Sequence, residues 1–180
     1  MLNKFDLGIF VEEIITQSEF ALISWEYLQA YLMKKKDNNR IFYHIQAFLV
    51  AVANISKILS PSNNKFKSRG EELRKMLQVP INSPILNRKI RNHFEHYDER
   101  IESWASLSKR HNISDMNISC SMFSALPELE SIDCMRNLNI SRDCENLNLT
   151  FHGDSYDLTI AMYAVKELCK RARKLRPDLF

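Results

Sequence analysis

Three residues of types that handle phosphate esters stand within the segment 91–96, namely Arg91, Asn92 and His96. A guanidinium binds a phosphate through two parallel hydrogen bonds, and an imidazole changes its protonation state near neutral pH. The pair therefore suits cleavage of a phosphodiester, with a cation for the phosphoryl oxygens and a proton donor or acceptor. The competing interpretation is a solvated helix face that carries an incidental histidine.

The segment lies on a predicted helix that runs from Pro84 to about Trp104. Ser83 and Pro84 form a start signal, because serine caps helices and proline suits the first helical position. At about 100° per residue, the apolar residues of this helix fall on one arc and the motif residues fall largely opposite. The predicted core stripe is Leu86, Ile90, Phe94, Tyr97, Ile101 and Trp104. We therefore expect the three motif residues to point away from the core.

Three further side chains are secondary candidates for the same site. Glu95 is four residues after Arg91, so a pair between them would either tune the site or neutralise a surface cation. His93 lies at the edge of the apolar arc, and His44 borders the apolar face of an earlier predicted helix. We expect both histidines to be packed structural groups, with a secondary contact to the site as the alternative.

The chain predicts a mainly α fold, an up-and-down helical bundle. Only 3 glycines and 5 prolines occur in 180 residues, which disfavours a β-sandwich or barrel with many tight turns. Apolar residues at intervals of three and four predict long helices over about 7–34 and 41–59 and a short helix over 71–77. We expect residues 1–180 to form a single helical domain.

Residues 111–153 differ in character and predict an irregular or β insertion before the last helix. Alternating apolar and polar residues over 138–140 and 147–151 predict two short strands that form a β-hairpin. Asp154 is placed as the N-cap of the last helix, with Asp157 in a capping-box-like position.

The net charge of +3 conceals an uneven distribution. Residues 34–110 contain 16 Lys and Arg against seven Asp and Glu, and residues 161–180 contain six against two. A local positive field attracts polyanions. The candidates for contact with an RNA backbone are Lys170, Arg171, Arg173 and Lys174. A solvated terminal helix explains the same residues equally well.

The motif resembles that of a known family. Arg-Asn-x-x-x-His is the signature of HEPN domains, small helical bundles of which many are metal-independent ribonucleases, and the match here is Arg91, Asn92 and His96. The resemblance covers most of the chain apart from the 111–153 insertion. It implies an HEPN-like homodimer in which the motif helices of two protomers meet and form one composite site.

The resemblance also implies a mechanism that uses no metal and no cofactor. His96 would act as general base on a ribose 2′-hydroxyl or as general acid on the leaving 5′-oxygen. Arg91 would stabilise charge on the phosphoryl oxygens, and Asn92 would orient the imidazole or contact the phosphate. The expected function is an endoribonuclease of the toxin or phage-defence kind, with RNA as substrate and an antitoxin protein as a further partner.

A second class of function stays open, because many HEPN domains keep the fold without activity. The chain would then be a catalytically inactive module that binds a nucleotide, an RNA or a nucleotidyltransferase-type antitoxin. Cleavage of RNA distinguishes the two classes.

The cysteines and the hydropathy bear on metal binding and location. Cys120, Cys134 and Cys144 stand at irregular intervals with His152, which does not match a zinc-binding pattern, so we expect structural thiols and no metal site. The first residues lack a signal-peptide pattern, and no apolar run reaches the roughly 18 residues of a membrane span. We therefore expect a cytoplasmic protein with no membrane segment.

Overall fold

The computed structural model describes residues 3–34, 37–107, 113–120, 133–141 and 145–180. They form a mainly helical protein with a small mixed β-sheet before the last helix, which confirms the predicted mainly α class. The helices are α1 (Lys4–Met33), α2 (Asn38–Leu59), α3 (Lys67–Met76), α4 (Arg88–Glu95), α5 (Tyr97–Leu107) and α6 (Leu158–Leu175). The strands are β1 (Ile113–Ser114), β2 (Asn117–Cys120), β3 (Asp133–Cys134), β4 (Arg136–Ile140), β5 (Leu147–Phe151) and β6 (Asp154–Asp157).

The two long helices confirm the predicted pair and run antiparallel. At one end of the pair Asn54 Nδ2 donates to Gln17 Oε1 at 3.2 Å, and at the other Arg40 Nη1 donates to Tyr31 Oη at 2.7 Å. Between these contacts the inward residues recur at helical spacing and exclude water, which supplies most of the stability of such a pair. The completely buried residues of the pair include Val11, Ile14, Ala21, Leu28, Phe48, Leu49 and Ile55.

Helix α2 is the one helix in the described ranges that is long and apolar enough to cross a membrane. The protein itself buries 56% of that apolar stretch, including Phe48 and Leu49. The core helix of a soluble protein meets the same criterion of length and composition.

The sheet is larger than the predicted hairpin. Strands β4 and β5 pair antiparallel and confirm the two predicted strands, and the described sheet adds a parallel β2 and an antiparallel β6 in the order β2-β4-β5-β6. The prediction that Asp154 caps the last helix is wrong. Asp154 begins β6, and Asp157 caps α6 by accepting the Ile160 N–H at 2.8 Å. The β region therefore extends past residue 153.

The predicted continuous helix from Pro84 to Trp104 is also wrong. It consists of a 3₁₀ turn over Pro84–Leu86, then α4 and α5, with a break at His96, whose φ of −120° and ψ of 42° are not helical. Within α5, Tyr97 and Trp104 are partly buried against the core as predicted, whereas Ile101 is 41% exposed and is not part of the core stripe. Periodicity detects the apolar residues but not a one-residue break that depends on tertiary packing.

Aromatic packing holds the motif segment between α2 and the sheet. The ring of Phe94 lies 5.9 Å from that of Phe151 in β5, and the ring of Tyr97 lies 6.1 Å from it. Phe94 also borders a small cavity with Phe42, Ile45 and Leu49 of α2 and Leu149 of β5. Anchors on both sides of the break thus fix the position of α4 and the start of α5.

Candidate functional site

Helix α4 carries the motif. Asn87 caps it, with Oδ1 accepting the Lys89 N–H at 3.0 Å. Asn92 and His96 are exposed, whereas Phe94 on the same helix is half-buried. Arg91 belongs to α4, and its side chain lies outside what the structure describes. The structure therefore places the amide and the imidazole of the motif on the solvent side of this segment.

The imidazole of His96 has one carboxylate neighbour. Its Nδ1 lies 3.1 Å from Glu99 Oε1, and half of the His96 side chain is exposed. In the tautomer that donates from Nδ1 to Glu99, the Nε2 lone pair is left to accept a proton from a ligand. In many active sites the side chain that acts as general base is oriented in this way by a neighbouring group. The three-residue spacing of His96 and Glu99 was the available signal for this contact, and sequence reasoning assigned Glu99 no role.

The secondary candidate Glu95 has a partner on another helix. Its Oε1 lies 3.0 Å from Lys57 Nζ of α2, with both side chains partly exposed. The predicted pairing of Glu95 with Arg91 concerns a side chain outside the described part. The Lys57 contact ties the end of α4 to α2 at the residue directly before His96.

His93 is a packed histidine, as its place on the helix indicates. It is 4% exposed, its ring stacks on Phe151 with centroids 4.8 Å apart, and its Nε2 lies 3.0 Å from Asp154 Oδ2. Burial lowers the pKa of His93, although the hydrogen bond to Asp154 opposes this effect. Its Nδ1 is buried and has no hydrogen-bond partner among the described residues.

Asp154 joins two residues that are one turn apart on α4. Its Oδ1 lies 2.7 Å from Lys89 Nζ, and its Oδ2 contacts His93. The hydrogen bond from Lys89 is the main cause that lowers the pKa of Asp154. Sequence reasoning missed this contact because it assigned Asp154 to a helix cap, and 61 residues separate it from His93.

His44 lies in an aromatic cluster on α1 and α2. Its ring stacks on Tyr27 at 5.2 Å and on Tyr31 at 5.5 Å, and meets Tyr43 edge-on at 5.1 Å. Desolvation, followed by the charge of Arg40, lowers its pKa. These neighbours give His44 a packing role between the two long helices.

The four RNA-backbone candidates of α6 divide into two kinds. Arg171 Nη1 donates to the backbone carbonyl of Gln78 at 2.6 Å, and Arg173 Nη2 donates to Glu19 Oε1 at 2.7 Å. Lys170 and Lys174 are exposed. The two arginines therefore join α6 to its neighbours, and the two lysines face solvent.

The described residues contain no group of three or more His, Cys, Asp or Glu that could hold a metal ion. Cys134 is half-buried, and its Sγ donates to the carbonyl of Arg136 at 3.2 Å; burial raises its pKa. Cys144 and the side chain of Cys120 lie outside the described residues.

Comparisons with protein-family models, with curated proteins and with solved structures found no match to this chain. The segment around His96 presents an exposed imidazole beside the Glu99 carboxylate, with the exposed amide of Asn92 one turn away. Such a group can transfer protons to or from a bound ligand.

Proposed function

We propose that the protein is a metal-independent endoribonuclease of the HEPN type. The observation that carries the proposal is the exposed His96 beside Glu99, in the same six-residue segment as Arg91 and Asn92. An exposed imidazole can reach a substrate, and the carboxylate restricts its orientation. The basic middle of the chain supplies the field that attracts RNA.

The proposed reaction is attack by a ribose 2′-oxygen on the adjacent phosphorus. One His96 accepts the 2′-hydroxyl proton as the 2′-O–P bond forms, and a second acid protonates the 5′-oxygen as the P–O5′ bond breaks. Arg91 stabilises the negative charge on the phosphoryl oxygens. The products are a 2′,3′-cyclic phosphate and a 5′-hydroxyl, and DNA is not cleaved because it lacks the nucleophile.

The second acid is supplied, in this proposal, by the His96 of another protomer. A single protomer exposes half of the His96 side chain to water, so it lacks the second surface that would enclose a substrate. A two-fold dimer in which the α4 segments meet provides that surface and a second imidazole. Sedimentation is expected to show a dimer at micromolar concentration, and a monomer there would exclude the composite site.

The proposed setting is the cytoplasm, as a toxin or a component of phage defence. A free ribonuclease is harmful to its own cell, so we propose control by an antitoxin protein. Co-expression with a cognate antitoxin would be expected to restore growth that the protein alone arrests.

The decisive experiment is cleavage of a single-stranded RNA with analysis of the product ends. Cyclic phosphate and 5′-hydroxyl ends are expected, EDTA should not change the rate, and a 2′-deoxyribose at the scissile position should block cleavage. Arg91→Lys should not restore full activity, because an ammonium lacks the planar fork of a guanidinium. Sensitivity to EDTA, or cleavage of the deoxy substrate, would overturn the mechanism. A pure dimer that cleaves no RNA would favour the inactive binding module.

A further inference from the structure

The outer face of α6 presents a row of lysines. Lys166, Lys170 and Lys174 are all exposed and are spaced four residues apart. Residues four apart on a helix share a face and are separated by about 6 Å along the axis. The three ammonium groups therefore form a positive ridge about 12 Å long, which we call the lysine ridge.

The lysine ridge differs from the arginines of the same helix. Arg173 pairs with Glu19, and Arg176, which follows α6, pairs with Glu12. The ion pairs among the described residues do not include the three ridge lysines. The arginines thus hold α6 against α1, while the lysines keep their charge available to a ligand.

An aromatic ring and a largely apolar groove, which Glu167 also lines, run beside the lysine ridge along α6. Tyr163, three residues before Lys166, is 60% exposed, and Ile160 is 55% exposed. Both line a groove of about 440 Å³ whose other wall is the segment 79–85. The groove therefore brings exposed apolar surface and one aromatic ring next to the row of cations.

We infer that this face of α6 binds single-stranded RNA. The ridge lysines would contact successive phosphates, and Tyr163 would stack on a base at the mouth of the groove. Proteins that bind single strands combine in this way a positive track for the backbone with aromatic side chains for the bases. The inference rests on the proposed function, since it takes RNA as the substrate.

The groove also connects the lysine ridge to the motif segment along the chain. Its wall over 79–85 leads through the 3₁₀ turn Pro84–Leu86 directly into α4. Tyr156 Oη donates to the carbonyl of Pro84 at 3.3 Å and fixes this turn against the sheet. An RNA strand that follows α6 from Lys174 to Tyr163 would thus reach the segment 79–85, which precedes Arg91 in the chain.

The test measures binding of a fluorescent single-stranded RNA to the His96→Ala variant, which by the proposed mechanism binds without cleaving. Replacing Lys166, Lys170 and Lys174 by Ala should lower the salt slope of log K by about 2, since each phosphate contact with a single strand contributes about 0.7. Tyr163→Ala should weaken binding roughly tenfold, as expected for the loss of one stacked base.

Matched controls exist on other faces of the molecule. Lys65, Lys67 and Lys75 are also exposed, and Tyr43 is 68% exposed on α2. The triple alanine variant of those lysines removes the same charge, and Tyr43→Ala removes a similar ring. Tyr43→Ala should leave the RNA affinity within about twofold of the parent, in line with the small effect of surface changes remote from a site. The lysine control removes part of the general positive field, so it should weaken RNA binding clearly less than the ridge variant does.

The outcomes separate this inference from the proposed function. If the ridge variant and the lysine control lose equal RNA affinity, net charge alone attracts RNA and the inference is overturned. Preferential binding of anionic lipid vesicles over RNA by the same lysines would overturn it in favour of a membrane surface. If wild type cleaves no RNA but the ridge variants lose RNA binding selectively, the binding surface stands and the ribonuclease proposal fails.

Discussion

The α4 segment holds two histidines, three residues apart, in opposite environments. His93 is 4% exposed, lies 3.0 Å from Asp154 and stacks on Phe151. His96 stands at a break in the helix, has half of its side chain in solvent, and contacts Glu99 at 3.1 Å. Each has a carboxylate neighbour, so the kind of partner does not distinguish the two histidines. They differ in how far each side chain is buried.

The contrast indicates how one segment can separate anchoring from chemistry. Protonating His93 would place a charge in a desolvated site with a buried, unpartnered Nδ1, so this ring is suited to holding α4 in place. The half-exposed ring of His96 is instead accessible to a ligand. The predictions below test this division, beginning with the largest expected effect.

His96→Ala should abolish the proposed activity and leave the fold intact. A positioned acid or base contributes about 10²–10⁴-fold to a rate, so kcat/KM on single-stranded RNA should fall by that factor. The free energy of unfolding should change by less than about 0.5 kcal/mol, because the side chain is exposed. RNA cleavage and urea unfolding on the same preparation measure both quantities. A destabilised variant with unchanged activity would reverse the assignment of the two histidines.

His93→Ala should have its main effect on stability. It removes a buried ring and its hydrogen bond to Asp154, which is expected to lower the free energy of unfolding by about 2–4 kcal/mol. Urea denaturation measures the change, with His96→Ala as the exposed control. A loss below about 0.5 kcal/mol would show that α4 is held by other contacts.

Glu99→Gln should slow cleavage by roughly tenfold. The effect should stay below the ~10²-fold loss that follows when a catalytic group is displaced by 1 Å, because His96 itself remains in place. The amide keeps the size of the side chain but cannot orient the imidazole as a carboxylate does. Glu102→Gln, an exposed neighbour on α5, is the control and should retain the parental rate. Equal rates for both variants would remove Glu99 from the site.

Stability should decrease as the pH falls below about 6.5, the ordinary value for histidine. Because burial lowers the pKa of His93 in the folded protein, the unfolded chain binds more protons in this range and unfolding becomes easier. One such group contributes at most about 1.4 kcal/mol per pH unit. The charges of Arg100 and His152 also lower the pKa of His93, and Asp154 opposes them.

His93→Phe should remove this part of the pH dependence, since phenylalanine preserves the stack on Phe151 and does not titrate. Thermal unfolding between pH 5 and 8 compares the two proteins. Asp154 acts in a separate window: its pKa is already below 3.8, so its contribution is lost only in more acidic solution. A wild-type slope that persists in His93→Phe would assign the effect to His44, whose pKa is also lowered.

Much of the helical fold could be predicted from sequence, because apolar residues recur at intervals of three and four along α1 and α2. The alternation of β5, with Leu147, Leu149 and Phe151 buried, was equally readable. Strands β2 and β6 were missed because a strand of four residues with few apolar side chains gives a weak periodic signal. Long-range pairing, not local preference, places them in the sheet.

The candidate site was predictable only in part, for a related reason. The spacing of Arg91, Asn92 and His96 is local and visible in the sequence. The local pattern of apolar residues does not reveal the helix break at His96, and the Asp154 contact joins residues far apart in the chain. A contact of this kind leaves no pattern in the neighbouring sequence, since its two partners come together only in the folded protein.

The smallest expected effect belongs to Lys89→Met, which removes the second partner of Asp154. The Lys89 side chain is 67% exposed and that of Asp154 is 33% exposed, so water and salt screen this pair. An exposed ion pair contributes about 0.2–1 kcal/mol, and the loss should diminish further in 1 M salt. The loss from His93→Ala should persist in that salt, because it comes from burial. If Lys89→Met cost as much as His93→Ala, charge rather than the buried ring would anchor α4, and the contrast between the two histidines would lose its physical basis.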